Sequence, residues 1–521
     1  MKKKLLFPAL SLMAMLIISS SIFSQNYDSG FFPLGVWSVK GDFRGVDEFL
    51  FDVDAAAALH HTSFANLKAE GFNAVFLSYD PITITLDTIL DIAEMNDMKV
   101  IQSTQNLHAL IEGSNDYEVT DQDIYDALEM DSIQLSVQSP ATLGYYLYDE
   151  PLPDWFDWDV MARARDILED VTGGNHPILS VWNDERWMED LDNTIPLDVL
   201  MMDTYPLEDG DAPGDLSDCF PAYFSWDPDP IPYADYIDLV RKKHCDAKNK
   251  PLWVVLQAFG DLETPENGGY WRQVYPKEIR LQVYLAVMQG AKGIWYFLYE
   301  SEFPYLLGML DVAGQPTDRL HEAEAVNAEI SAVSDLLLRL QVVTDSTAAL
   351  ADNGAVRMHV DTTTANGDKY VIPVNTDISE TQEVSVTVKK SVIGYEVNSV
   401  QDVSTGEIIA FDENEDMISF TLPVDAGSGR FIRLSDEVVD VKKIEKQQQI
   451  RVYPNPATDV IHVVHDFVNI HTYSISDLAG REVETGILAG EEIDVSRLQP
   501  GTYFVTLHGD GDTFTQRVVK E

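Results

Sequence analysis

From Phe32 to about Gln341 the chain alternates short apolar runs with segments whose apolar residues recur at helical spacing. That alternation is the signature of β-α units feeding one parallel sheet. Eight runs read as strands: 33–38, 73–79, 99–104, 144–149, 177–182, 198–203, 252–259 and 293–299. Helices are expected over 63–70, stopped by Gly71, over 86–96, over 154–171 before Gly173-Gly174, over 276–289, opened by Pro276 and stopped by Gly290, and over 319–340. Eight units in roughly 310 residues predict an α/β fold, a (β/α)8 TIM barrel with enlarged loops. A doubly wound sheet is the alternative, but no G-x-G-x-x-G or Walker loop follows the first strand, so its nucleotide-binding forms find no support.

Beyond Thr344 the pattern changes. Strand-like runs at 356–360, 369–375, 383–389 and 418–422 are punctuated by turn signals such as Asn366-Gly367 and Thr405-Gly406, which predicts an antiparallel β-sandwich. Residues 435–449 are charged and end in Gln447-Gln448-Gln449, as a linker would. At the other end, Lys2, Lys3 and Lys4 precede an apolar run over 5–18 and the small residues Ser19 to Ser21, the layout of a signal peptide cleaved near Ser24. No later run reaches the ~20 residues of a membrane span. The expected domains are therefore a signal peptide (1–24), the barrel (25–342), the sandwich (343–434), the linker (435–449) and a small all-β domain (450–521).

Charge narrows the function. With 87 acidic against 35 basic residues the formal net charge is −52. Nucleic acid and anionic membrane surfaces are excluded as partners, and sulfated or uronate polymers are disfavoured unless Arg186, Arg272 or Arg280 line the cleft. Two cysteines, Cys219 and Cys245, allow one bond but no disulfide framework. No C-x-x-C, H-E-x-x-H or calcium loop is present, and His60-His61 stands alone, so no metal or other cofactor is expected.

The last seventy residues carry the most specific pattern. Tyr453-Pro454-Asn455-Pro456-Ala457 opens it, Asp477-Leu478-Ala479-Gly480-Arg481 and Leu498-Gln499-Pro500-Gly501-Thr502-Tyr503 follow, and Arg517-Val518-Val519-Lys520 closes it. This segment resembles the type A sorting domain of the type IX secretion system. The resemblance implies export through the periplasm and across the outer membrane by that machinery, to the cell surface or the medium.

In a TIM barrel, chemistry sits at the C-terminal strand ends. Those ends carry Tyr79-Asp80, Asp149-Glu150, Trp182-Asn183-Asp184, Asp203-Thr204-Tyr205, Gln257 followed by Asp261, and Tyr299-Glu300. Carboxyls beside aromatic rings suit glycoside hydrolysis, in which one acid protonates the leaving oxygen and a second carboxylate supplies or activates the nucleophile. In Gly144-Tyr145-Tyr146-Leu147-Tyr148-Asp149-Glu150-Pro151, strict alternation would put Tyr146, Tyr148 and Glu150 on one face and Asp149 on the other. This segment resembles the fourth strand of the large retaining TIM-barrel clan of glycoside hydrolases, which implies Glu150 as acid/base. That clan ends strand seven with a glutamate nucleophile; here Gln257 stands instead. The partner carboxylate is then Asp203 or Glu300. The adjacent pair Asp149-Glu150 is also of the kind that hexosaminidase-like enzymes use with the substrate's own acetamido group, although the surrounding motif differs from theirs. Trp182, Tyr205, Tyr299 and Trp295 are candidate sugar platforms, although Trp295, in mid-strand, suits the core better; Asn183 and Gln257 are candidate hydroxyl partners, and Tyr79 and Asp149 further substrate contacts. The expected function is cleavage of an extracellular poly- or oligosaccharide by paired carboxylates. The competing expectation is a carbohydrate-binding or surface protein on a barrel that has lost catalysis.

Overall fold

A computed structural model describes residues 30–38, 53–77, 85–152, 155–183, 185, 188, 193–208, 211–216, 231–262, 271–302, 305–364, 367–437, 450–453, 457–465, 470–477, 481–488, 492–509 and 513–520. The signal-peptide expectation, most of the linker, the side chain of His60, and Tyr79, Asp80, Asp184, Arg186 and Cys219 lie outside what is described.

Eight parallel strands close into a barrel: β1 (Leu34–Ser38), β2 (Ala74–Leu77), β3 (Lys99–Ser103), β4 (Thr142–Asp149), β5 (Ile178–Trp182), β6 (Val199–Met202), β7 (Leu252–Gln257) and, after a two-residue β8 (Gly260–Asp261), β9 (Gly293–Phe297), which pairs back onto β1. All eight expected strands are therefore barrel strands. Their near-continuous apolar character follows from burial on both faces. One face fills the barrel with Phe76, Tyr146, Met201, Trp253 and Trp295 among others; the other packs under the helices. Gly35 and Gly293 admit the Trp295 and Trp253 rings, which approach a virtual Cβ to 2.3 and 2.6 Å.

The five expected helices form, two of them with clearly different bounds, while Gln105–Glu112, Asp121–Met130 and Tyr233–Val240 are helices with no counterpart among them. The first described helix begins at Val53, ten residues before the expected start, because an alanine-rich run with no breaker extends it. The last splits into Asp318–Ser331 and Ser334–Arg339. Pro276–Met288 is buried almost all round, since it lies between β7 and the next domain. The side chain of Gln282, on this helix, clamps the backbone of Gln257: its Oε1 accepts from Gln257 N (3.0 Å) and its Nε2 donates to Gln257 O (3.0 Å).

After the barrel and the short hairpin partner β10 (Leu306–Leu307), two antiparallel sheets enclose a separate apolar core. One contains β11 (Leu340–Val342), β13 (Ala355–Asp361), β14 (Lys369–Val374), β16 (Ser399–Asp402), β17 (Ile408–Ile409) and β20 (Ile432–Ser435); the other contains β12 (Ala349–Ala351), β15 (Gln382–Lys389), β18 (Phe411–Glu413) and β19 (Met417–Val424). The alternating burial of β15 and β19 shows one face on the core and one toward water. Residues 439–521 form a second compact unit. Within it β21 (Ile450–Tyr453), β22 (Val460–His465) and β25 (Glu492–Asp494) make one sheet, and β23 (Ile470–Asp477), β24 (Glu482–Ile487), β26 (Gly501–Gly509) and β27 (Thr513–Lys520) another, around Ile461, Val463, Ile475, Val505 and Val518.

Candidate active site

The register of β4 decides which side chains reach the barrel mouth. Tyr146 pairs with Leu179 and Asp149 with Val181, so three steps along β4 oppose two along β5. A bulge of this kind adds a residue and shifts the phase of the pleat. Tyr146 and Asp149 consequently share the inner face, and the Tyr146 hydroxyl donates to Asp149 Oδ1 at 2.6 Å. Tyr148 turns outward against His108 and Phe156, at 4.1 and 4.6 Å between ring centroids. The strict alternation expected from sequence is thus wrong at one step, because two-residue periodicity fails wherever a strand carries an extra residue.

Glu150 follows in a left-handed conformation, φ 40°. For a non-glycine residue this costs roughly 1–2 kcal/mol, and strain of this sort concentrates at functional sites. Pro151 has no N–H to continue the ladder, so the chain leaves the sheet here and turns the Glu150 carboxyl into the mouth. There it lies close to Asp203, just beyond β6, and to Asn183, just beyond β5. Asp203 is only 6% exposed.

Two carboxyls in contact cannot both ionise cheaply. Burial, followed by the neighbouring Glu150 charge, holds the Asp203 carboxyl well above the usual carboxylate range. Burial also raises Glu150, while its hydrogen bond to Asp203 pulls the other way. Glu150 and Asp203 form a close carboxyl dyad that titrates as a pair, with Asp203 raised the further. Asp149 is exposed on its outer edge yet crowded on the pocket side, and that desolvation raises its pKa despite the Tyr146 hydrogen bond. His108, behind Asp149, is pushed below the usual histidine range by burial.

Asp149, Glu150 and Asp203 line a cavity of about 290 Å³ at the barrel mouth, close to the ~300 Å³ of the smallest ligand sites. Its walls are aromatic. Tyr205 stands edge-on to Phe259 (4.9 Å) and Trp271 (5.7 Å) and stacks on Phe297 (6.0 Å). Trp37, at the end of β1, stacks on Phe76 at 4.0 Å and meets Tyr146 edge-on at 5.2 Å. Asp261 also lines the cavity, and its Oδ2 accepts from Trp271 N at 2.9 Å, which braces the Trp271 loop. A larger hollow of about 630 Å³ lies beside Thr120, Asp121 and Arg163, away from the dyad; Arg163 is ion-paired to Asp121 there.

The structure thus brings together Glu150, Asp203, Asp149, Asn183 and Tyr205 from the sequence-predicted set. Others fall elsewhere. Trp182 and Tyr299 are buried in the layer between barrel and helices, and the Tyr299 hydroxyl donates to Glu70. Neither is a platform at the mouth, because each occupies the outward phase of its segment. Glu300 is buried but does not line the cavity. Gln257 is fully buried; its Oε1 accepts from Leu207 N (2.9 Å) and its Nε2 donates to Leu207 O (3.0 Å), so both ends of the amide are used within the protein. Trp295 lies in the barrel core, as its mid-strand position suggests. Arg272 is bound to Glu278 and Arg280 to Glu322 and Glu329, away from the cavity. Sequence reasoning missed Trp37, Phe259, Trp271 and Phe297. Trp37 and Phe297 end their strands and were findable by position, whereas Trp271 belongs to a loop whose return to the mouth has no local signal.

Together these features define an exported (β/α)8-barrel protein with an acidic, aromatic mouth. Residues 451–521 match the family model described as the secretion system C-terminal sorting domain. That domain directs type IX export across the outer membrane, to the cell surface or the medium. Among the described residues no helix is long and apolar enough to cross a membrane. No curated protein matches the chain in sequence. Solved structures similar to it include an α-amylase from Geobacillus thermoleovorans (14% identity, 77% of this chain and 98% of that one, TM-score 0.47). A glycoside hydrolase family 5 protein from Bacteroides vulgatus is similar at 12% identity over 80% and 92% (TM-score 0.49). An α-L-fucosidase from Bacteroides thetaiotaomicron is similar at 13% over 79% and 95% (TM-score 0.43). At such low scores these likenesses say nothing about substrate or catalytic residues.

Proposed function

We propose that this protein is a secreted glycoside hydrolase acting on an extracellular poly- or oligosaccharide, with Glu150 as the acid and Asp203 as its partner carboxylate. The observation that carries the reading is the close Glu150–Asp203 carboxyl pair, both members raised by burial, lining an aromatic-walled cavity. Burial raises both carboxyls, which favours keeping a proton for a leaving oxygen; for Glu150 to act as the acid, the pair's proton must move from Asp203 to Glu150, which leaves Asp203 as the carboxylate. Carboxyls in contact leave no room for a water between them. Inverting enzymes need about 6.5–9.5 Å and retaining ones about 5–5.5 Å; the close pair is nearer the retaining spacing but must open to admit a sugar, and Asp203 is then the nucleophile that a retaining reaction would use. Trp37, Tyr205 and Trp271 line the cavity as aromatic partners for a sugar ring, and Asn183 stands close to the Glu150 carboxyl.

The test is a panel of polysaccharides and aryl glycosides, read by reducing-end release and by anomeric proton NMR for retention. Glu150→Gln should lower kcat about 10²- to 10⁴-fold, the usual worth of an acid/base group, with an unchanged circular dichroism spectrum; full activity in that variant refutes the assignment. A second reading, a carbohydrate-binding protein without catalysis, is favoured by Gln257, whose amide is committed to Leu207 where the resembling clan has a nucleophile. Saturable glycan binding by the wild type with no cleavage would establish it.

A further inference from the structure

The dyad uses two of the four carboxyls that line the cavity; Asp149 and Asp261 remain. Four carboxyls therefore converge on one mouth. Among the described lining residues there is no lysine, arginine or histidine to balance them. Asp203 Oδ1, buried in this cavity, has no hydrogen-bond partner. The Tyr146 hydroxyl occupies Asp149 Oδ1 and fixes that carboxyl at the rim. Trp37, Tyr205, Phe259, Trp271 and Phe297 line the same cavity, and an aromatic face attracts a cation more strongly than a neutral group. A neutral hydroxyl would gain little from this field, and an anionic sugar would be repelled.

We propose that the sugar bound beside the dyad carries a protonated amine, so that the substrate class is a glycan containing non-acetylated hexosamine, with Asp149 as the residue that selects the amine. This rests on the reading of the cavity as a glycosidase site. Asp149 accepts from the ammonium through a charge-assisted hydrogen bond, and the aromatic wall covers the ring.

The experiment uses the full chain at pH about 6, where an amine with a pKa near 8 is protonated. Binding of glucosamine, galactosamine, glucose, galactose and N-acetylglucosamine is measured by saturation-transfer NMR and calorimetry on wild type and Glu150→Gln. Cleavage is measured on nitrophenyl α- and β-glycosides of the same sugars. The expected result is roughly 10- to 100-fold preference for an amino sugar over its parent, the discrimination of one hydrogen bond to a charged group. Asp149→Asn should remove the preference while parent-sugar binding persists, which also reports that the variant is folded; Tyr146→Phe should weaken it. Equal or better binding of glucose or N-acetylglucosamine, or no binding of any of these sugars, overturns the inference. Cleavage of parent glycosides without amine preference refutes the substrate class and leaves the hydrolase reading standing. Amine-selective binding with no cleavage of any glycoside supports the substrate class and refutes the hydrolase reading.

Discussion

Replacing Asp203 with asparagine should make the barrel more stable at neutral pH while removing its activity. In the folded protein the Asp203 carboxyl is buried, touches Glu150 and faces Asp149, so its pKa is raised well above 3.8. A raised folded pKa contributes stability that is fully present below the unfolded pKa and is lost as pH rises through the folded one. At neutral pH wild type therefore pays either for a buried charge or for a proton it would not hold when unfolded. From 3.8 to pH 7, at 1.36 kcal/mol per unit, that cost has a ceiling of about 4 kcal/mol. Asparagine has nothing to titrate, and its amide can donate to the Glu150 carboxylate. Its second N–H needs a partner beside a carboxyl oxygen that has none now, which returns about 1–3 kcal/mol. The expected net gain is about 1–3 kcal/mol at pH 7.5, shrinking to nothing or reversing near pH 4. Urea unfolding followed by tryptophan fluorescence at both pH values measures it, and kcat on the best substrate should fall about 10²-fold or more. A variant equally destabilised at both pH values, or one that keeps wild-type activity, would show that Asp203 is neither desolvated nor part of the reaction.

The pH–rate profile should be bell-shaped, since one proton must be present in the dyad and only one; its limbs belong to the pair, and a profile flat from pH 4 to 9 would contradict the shared proton. Gln257→Glu tests the strand-seven position: a carboxylate there would face the Leu207 carbonyl now satisfied by the amide, so a loss of about 3–5 kcal/mol of stability and no gain of activity are expected in the same unfolding and activity assays. Glu185 behaves oppositely to Asp203. Hydrogen bonds from His244 and Lys243 hold it down to about 2, so its stabilisation is present above the unfolded pKa and lost as pH falls toward 2. Glu185→Gln should cost about 1–2 kcal/mol at pH 7, after allowance for its partial solvent contact, and little at pH 2.5, read from thermal melts.

The barrel and the sorting domain were legible because both rest on local signals. Eight apolar runs bounded by turn residues need only the chain's own periodicity, and sequence-local turns mark out the sorting domain's β-strands. The acidic strand ends were legible for the same reason, since a carboxyl at the end of a buried run has nowhere else to go than the rim. Which of them meet was decided by tertiary structure. The β4 bulge, invisible in a tyrosine-rich strand, exchanged Tyr148 for Asp149 on the inner face. Glu300 and Asp203 each end a strand segment in the sequence, yet only Asp203 lines the cavity with Glu150, and Gln257 looked like a ligand contact until Leu207 took both ends of its amide. Sequence determines the residue types and the period along each strand. Phase, register and the return of distant loops depend on pairing across the barrel, and those contacts gather four acids from separate segments into one mouth.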